Sequence, residues 1–433
     1  MVSVDATEIP GLLVVRLDVH GDNRGWFKEN WQREKMTELG LPDFGPVQNN
    51  VSFNGTVGTI RGIHAEPWDK FVSVAAGRAF GAWVDLRAGD SFGRAFWIEL
   101  DPATAVFVPR GVANSFQVLE DDTSYSYLVN AHWRAGAAYT NVNLLDPALA
   151  IPWPAEITEM SEKDRNHPLL ADVTPVAPRR TAVLGANGQL GRALRAARPD
   201  FLFYDRSTVD LSDPTTLDAV PWDDVDVVVN AAAYTNVDGA ETPEGRREAW
   251  AVNVTAVAAL ARIAIERGLT LVTVSSDYVF DGVEPEHAVD EPLSPLGVYG
   301  QTKAAGEAVT STVPRHYIVR TSWVIGDGKN FVDTMRRLAR DGVSPSVVND
   351  QIGRLTRADE LAAGILRLLD EGAPYGVHHV TGSDEPKSWA DIAREVFAAE
   401  GRDPADVTGV STAEYAAGKL VAPRPRHSAL RLT

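Results

Sequence analysis

The chain has 433 residues, a formal net charge of −18 and 44% hydrophobic residues. At roughly 100–200 residues per domain it is too long for one ordinary domain. Its acidity argues against a nucleic-acid polymer or an anionic membrane as its main partner, since both need basic surface. Cysteine is absent, which removes disulfides, thiolate metal sites and cysteine nucleophiles together.

Residues 1–171 read as β. Short apolar runs at Leu12–Leu17, Val72–Ala76, Ala79–Leu86, Ala95–Leu100, Ala105–Val108 and Ser115–Leu119 alternate with Gly, Asp and Pro turns. Many short strands with close turns predict a sandwich or barrel; Arg33–Leu39 reads as the one clear helix. Residues 172–180, with Pro175 and Pro178 among small residues, predict a short, semi-stiff connector. The pattern then changes over residues 181–433. The strands Thr181–Leu184, Phe201–Tyr204, Val225–Asn230 and Leu269–Val274 alternate with helical stretches at Leu190–Ala197 and Trp250–Glu266. That alternation predicts a doubly wound parallel sheet covered on both faces, an α/β Rossmann-type fold. No apolar run approaches the roughly 20 residues of a membrane span. The start, MVSVDATEIPG, has neither the basic end nor the apolar stretch of a signal peptide, so a cytoplasmic protein is expected.

In the second half, Leu184-Gly-Ala-Asn-Gly-Gln-Leu-Gly191 follows a strand and opens a helix. Gly185, Gly188 and Gly191 allow a tight turn and close approach to a pyrophosphate, and the helix start offers N–H groups and a positive dipole end. Asn187, Gln189 and Leu190 fall in the same loop. Asp205 would favour a free ribose 2′-OH and Arg206 a 2′-phosphate, so NADH and NADPH both remain open. Asp210-Leu211 is a candidate for the adenine side, or else a helix cap. Tyr299-Gly-Gln-Thr-Lys303 puts a phenol and an ammonium on one helix face, where the lysine is expected to favour phenolate. Ser276, at the end of a buried strand, is placed to hydrogen-bond a substrate carbonyl.

These elements, in this order, resemble the extended short-chain dehydrogenase/reductases. Val227–Glu241 (VVVNAAAYTNVDGAE), Ser275–Gly282 (SSDYVFDG), Val298–Glu307, Arg320–Val324, Asp350–Thr356 and Arg424–Leu430 resemble the dTDP-4-dehydrorhamnose reductase family. The resemblance implies a catalytic Ser276, Tyr299 and Lys303, a nicotinamide-side loop of Asn230, Ala231 and Ala232, and a supporting Asn253. It also implies that Trp323 and Arg424 meet the nucleotide-sugar. Leu355 and His427 depart from the family pattern.

In the first half, His64 in Thr59-Ile-Arg-Gly-Ile-His64 is a candidate base, because neutral imidazole suits proton abstraction near pH 7. A metal is not expected: Glu66 is one further donor, but Asn114 stands where a metal-binding cupin barrel offers histidine. Gly21–Glu29, Val47–Asn50, Thr59–His64, Asp146-Pro147, Trp153-Pro154 and Met160–Asp164 resemble the dTDP-4-dehydrorhamnose 3,5-epimerase family, a cupin-like jelly-roll barrel. The resemblance implies that His64 is the base, Asp164 its partner, Tyr127 the acid and Lys70 the stabiliser of an enolate. It assigns Gln48, Asn50, Arg61 and Lys163 to the nucleotide diphosphate and Asn114 to the sugar. Arg24, Phe27 and Glu29 would reach a neighbouring subunit's site in a homodimer. Asn114, Leu128 and Trp133 depart from the family pattern, and would slow the epimerisation or restrict it to one carbon. The expected chain is a bifunctional sugar-nucleotide epimerase and NAD(P)H-dependent 4-ketoreductase. The alternatives are a 3-epimerase with a ketoreductase of a related deoxysugar pathway, or a reductase carrying a non-catalytic barrel.

Overall fold

The computed structural model describes residues 2–432. The chain forms two compact units, Met1–Pro178 and Arg179–Thr433.

The N-terminal unit contains the strands β1 (Ser3–Ala6), β2 (Leu13–Arg16), β3 (Val19–Asp22), β4 (Gly25–Lys28), β5 (Gln48–Asn54), β6 (Ile60–Ala65), β7 (Lys70–Ala76), β8 (Ala79–Asp85), β9 (Ala95–Leu100), β10 (Thr104–Val108), β11 (Val112–Val118), β12 (Thr123–Val129) and β13 (Thr140–Asn141). They form antiparallel sheets of order β1-β2-β10-β7-β12-β5 and β13-β6-β11-β8-β9. Val14, Val72, Val106 and Tyr125 of the first sheet share a core with Ala79, Trp83, Val112 and Phe116 of the second. This is the expected jelly-roll barrel. β3 and β4 pair only with each other, and their hairpin leaves Trp26 and Phe27 exposed. Among the described residues, this unit has two α-helices: α1 (Arg33–Glu38), and α2 (Glu162–Arg165), which is capped by Ser161. Within the segment read as a connector, Val173 is buried and Val176 is held on the barrel by backbone hydrogen bonds with Leu86 and Ala88.

In the C-terminal unit β14 (Arg180–Leu184), β15 (Leu202–Tyr204), β16 (Val225–Asn230), β17 (Thr270–Ser276), β18 (His316–Thr321) and Gly376–His379 form a parallel sheet of order β15-β14-β16-β17-β18 followed by 376–379. Continuous apolar runs such as Val227-Val-Val229 suit strands buried on both faces. One face is covered by α3 (Gln189–Ala197) and the helix Ala358–Asp370, through Leu190, Leu194, Leu361 and Ile365. The other is covered through Ala256, Leu260 and Ala264. The helix read over Trp250–Glu266 in fact begins at Pro243, because Thr242 caps it and proline suits its first turn. It runs as α4 (Pro243–Trp250), a π segment over Ala251–Thr255 and α5 (Ala256–Arg267). By length and composition this helix could cross a membrane, yet its apolar side packs on the sheet. The π segment turns Asn253 inward, where its Nδ2 donates to Tyr234 O at 3.2 Å and Thr302 Oγ1 at 3.0 Å. Thr302 lies on α6 (Val298–Thr310), the helix that carries Tyr299 and Lys303.

His379 ends the last strand of this sheet. Its Nδ1 is 3.2 Å from Arg431 O, its Nε2 has no partner, and burial pulls the imidazole down to about 4. The unfolded chain therefore takes up a proton that the folded one refuses as pH falls below the unperturbed 6.5. We expect this contribution to be complete above that value and to be lost progressively towards pH 4, by roughly 2 kcal/mol at pH 5. Hydrogen-exchange mass spectrometry on β18 peptides at pH 7 and 5 checks it. The acid loss should shrink by that amount in His379→Leu; an identical loss in both proteins removes His379 as its cause.

Candidate active sites

In the N-terminal unit, Arg61, His64, Lys70, Asn114, Tyr127 and Asp164 line one cavity of about 790 Å³. β6 supplies Arg61 and His64, and α2 brings Asp164 from 100 residues away: His64 Nε2 lies 2.8 Å from Asp164 Oδ1. Asp164 is fixed by its own N–H donating to Ser161 Oγ at 3.0 Å, and it accepts from the Gly62 N–H at 3.3 Å. Burial alone would raise the Asp164 carboxyl, but the hydrogen bond and charge of His64, together with hydrogen bonds from Gly62 and Ser161, outweigh it and hold it below the usual range. An ionised Asp164 keeps His64 Nε2 as a donor and leaves Nδ1 as the basic nitrogen. Burial pushes the Tyr127 phenol up, and the Glu66 charge adds to that, so Tyr127 keeps its proton at neutral pH.

Two expectations change here. Lys70 does not offer an unmatched charge: it is buried and ion-paired with Glu66 at 2.8 Å. Asn114 accepts from the Tyr125 hydroxyl at 2.9 Å, while Tyr125 stacks on Phe116 at 4.0 Å. The position that departs from the family is thus tied to the cavity wall. Gln48, Asn50 and Lys163 do not line the cavity. Gln48 Nε2 donates to Asn50 Oδ1 at 2.9 Å, and Asn50 pairs in register with Tyr127; Lys163 is exposed on α2. Arg24 and Phe27 sit on the exposed β3–β4 hairpin, with Arg24 bound to Asp22 and Glu29 to Lys35. Sequence reasoning missed His167, which lies beside the dyad. Its signal was a histidine three residues after Asp164.

In the C-terminal unit the second site is built at the carboxyl ends of β14, β16 and β17, where strand order reverses and open α/β sheets hold ligands. Gly185 has φ +85°, and a Cβ there would lie 2.7 Å from Ala232 N; one on Gly191 would lie 2.3 Å from Gly185 O. The loop is therefore packed backbone on backbone against Ala231 and Ala232. Gly188 caps α3 without a side-chain bond, leaving the first N–H groups of the helix for an anion. These residues fit a dinucleotide pyrophosphate. Asn187 Nδ2 donates to Asp205 Oδ2 at 2.9 Å, and Asp205 also accepts from Ser207, so hydrogen bonds hold its carboxyl low. Arg206 pairs with Asp210 at 3.1 Å.

Three assignments in this unit are corrected. Leu190 and Leu211 bury their side chains in the two cores, so Leu190 contributes backbone only and Leu211 no adenine face. Asp210 caps the turn at Ser212. Trp323 is half-buried: it stacks on Trp389 at 3.6 Å, with Gly353 against its ring, so packing holds its indole and leaves only part of it open.

Ser276 Oγ donates to Asp277 Oδ1 at 2.9 Å and also engages Tyr299, whose ring meets Tyr278 edge-on at 5.5 Å. Lys303 Nζ donates to Val274 O at 2.6 Å. The expected lowering of the phenol by Lys303 is absent: burial, and then the Asp277 carboxylate, push Tyr299 up against the Ser276 hydrogen bond. Tyr299 is thus a protonated donor. Burial draws Lys303 down to about 8, opposed by Glu307. Burial pushes Asp277 up to about 6, opposed by hydrogen bonds from Ser428 and Ser276. Arg424 pairs with Asp238 at 2.8 Å and reaches Tyr278. Asp277, Tyr278 and Ser428 lay within motifs already noted, but no periodicity distinguishes them from packing residues.

Fold and sites define a chain of two enzyme-like units: a β-barrel whose cavity holds a His–Asp pair, and a dinucleotide-type α/β unit with a Ser–Tyr–Lys set. Residues 179–433 match the family model RmlD substrate binding domain, and residues 6–172 match dTDP-4-dehydrorhamnose 3,5-epimerase. The chain belongs to both families, as a fusion of the two. It is 53% identical over 180 residues to the "Protein RmlC homolog" of Streptococcus pyogenes serotype M6, covering 40% of this chain and 91% of that one. It is 41% identical over 264 residues to the dTDP-4-dehydrorhamnose reductase of Mycobacterium tuberculosis, covering 58% of this chain and 84% of that one. A crystal structure of dTDP-4-dehydrorhamnose reductase from Bacillus anthracis, in complex with NADP, matches with 32% identity and a TM-score of 0.55, over 59% of this chain and 91% of that one.

Proposed function

We propose that this bifunctional enzyme converts dTDP-4-dehydro-6-deoxy-D-glucose to dTDP-L-rhamnose, by epimerisation at C3 and C5 and then reduction at C4. The C4 ketone acidifies the protons on C3 and C5. His64 Nδ1 takes a proton, and the Asp164 carboxylate stabilises the resulting imidazolium through Nε2. Lys70, held by Glu66, still has N–H donors for the enolate oxygen, and Arg61 lies in the same cavity for the diphosphate. Tyr127 returns a proton from the other face of the ring.

In the second unit, Gly185, Gly188, Gly191 and the start of α3 would hold the pyrophosphate of NADPH, and Lys303 and the Asn230–Ala232 loop would line its nicotinamide side. The chemistry a bound NADPH supplies is a hydride for C4. Ser276 Oγ orients the carbonyl, and Tyr299 gives its phenolic proton to the C4 oxygen. The observation that carries this reading is one chain holding both the 2.8 Å His64–Asp164 pair, with Tyr127 in its cavity, and the Ser276–Tyr299 pair at the carboxyl end of a parallel sheet.

The same proposal includes a cytoplasmic homodimer. β5 ends its sheet with Val51 and Phe53 exposed, and Trp26 and Phe27 are exposed on the hairpin, which suits cover by a second copy. Arg24, Phe27 and Glu29 would then complete the partner's cavity. The test supplies the 4-keto sugar nucleotide with NADPH in D2O and follows proton NMR. Solvent deuterium at both C3 and C5 of a rhamnose product is expected. Label at C3 alone restricts the barrel to one epimerisation, and an unlabelled product denies it catalysis.

A further inference from the structure

His167 is 9% exposed, and neither of its ring nitrogens has a hydrogen-bond partner. A buried imidazole with two unmet nitrogens is costly, since buried polar groups are normally paired. Its ring meets His64 edge-on at 5.3 Å, and its Nε2 stands 3.9 Å from Asp164 Oδ1, beyond a hydrogen bond. Among the described residues, His64, Asp164 and His167 bring one donor atom each to within 4.8 Å of one another. Four ligands at about 2.1 Å from a tetrahedral ion stand about 3.4 Å apart, a spacing within the range seen between these donors.

We propose that His64, Asp164 and His167 form a binding site for a divalent transition-metal ion of the zinc type, and that its occupation switches off proton transfer in this cavity. Two imidazoles and one carboxylate are an ordinary zinc donor set, and His64 and Asp164 line the cavity, so a water or sugar oxygen can take the fourth position. Glu66, the further donor weighed for a metal from sequence, is engaged with Lys70, and Asn114 with Tyr125, so neither takes part. Lys163 is the nearby cation that opposes binding.

The inhibition follows from proton bookkeeping on His64. With Nε2 hydrogen-bonded to Asp164, the neutral ring keeps its lone pair on Nδ1. An ion on Nε2 displaces that proton, and the neutral ring then carries it on Nδ1. No lone pair remains to accept a substrate proton, and the Asp164 charge is spent on the metal.

The test uses the full-length chain, with Co²⁺ as spectroscopic probe and Zn²⁺ as inhibitor. The wild type is expected to take up one Co²⁺ with the visible absorption of a four-coordinate site, and Zn²⁺ should bleach it. Both His167→Ala and His167→Phe should lose that absorption; the phenylalanine keeps a ring against His64 and guards against a failure to fold. Zn²⁺ should suppress deuterium exchange into the sugar reversibly with EDTA, and each variant should need at least about tenfold more Zn²⁺ relative to its own metal-free rate. No Co²⁺ absorption in the wild type, or equal Zn²⁺ sensitivity in all three proteins, overturns the proposal. The inhibitory step rests on the proposed role of His64, whereas Co²⁺ uptake does not, so a metal that binds without an epimerase to inhibit separates the two failures.

Discussion

His64→Ala is expected to lower solvent-deuterium exchange at C3 and C5 by about 10³-fold, within the range for loss of a positioned general base. Net rhamnose formation from the unepimerised sugar should fall with it, and added stand-alone 3,5-epimerase should restore it, because Ser276 and Tyr299 lie in the other unit. The effect is large because, among the described residues, His64 is the one histidine lining this cavity, and its Nε2 is held at 2.8 Å by a carboxylate kept ionised beside it. Asp164→Asn should cost less, roughly 10- to 100-fold, the worth of one charge-assisted hydrogen bond of about 1.5–3 kcal/mol. Exchange that survives His64→Ala unchanged would remove the barrel from catalysis.

Tyr299→Phe is expected to give the opposite phenotype. Deuterium exchange continues, while ketone reduction falls by about 10²- to 10⁴-fold, so that labelled 4-keto sugar accumulates. Phenylalanine keeps the edge-on contact with Tyr278 and removes only the hydroxyl that meets Ser276. The loss therefore reports the proton and not the packing. A mixture of the His64→Ala and Tyr299→Phe proteins should form rhamnose again, since each supplies the unit the other lacks. Reduction at the wild-type rate in Tyr299→Phe would mean that another group delivers the proton.

Local order along the chain makes part of this protein legible from its sequence. The strand, the glycines and the helix from Thr181 to Ala197 are consecutive, so the phosphate loop could be read directly. The barrel strands showed in the same way, because a β-strand needs only a short apolar run and a turn at each end. The reductase motifs are likewise short segments that carry their own chemistry.

The long-range pairings could not be read in this way. Asp164 reaches His64 across 100 residues, and Ser428, from the end of the chain, reaches Asp277. The i,i+4 spacing of Tyr299 and Lys303 put both on one helix face, but burial and the Val274 carbonyl decided which charge each feels. The stacking of Trp389 on Trp323, 66 residues away, is another contact that no local pattern reveals. By itself the sequence determined two folds, their order and a short set of reactive residues, because those depend on neighbours along the chain. Tertiary structure alone decided who pairs with whom and in which protonation state, because that depends on which strand ends lie side by side and how far water is excluded there.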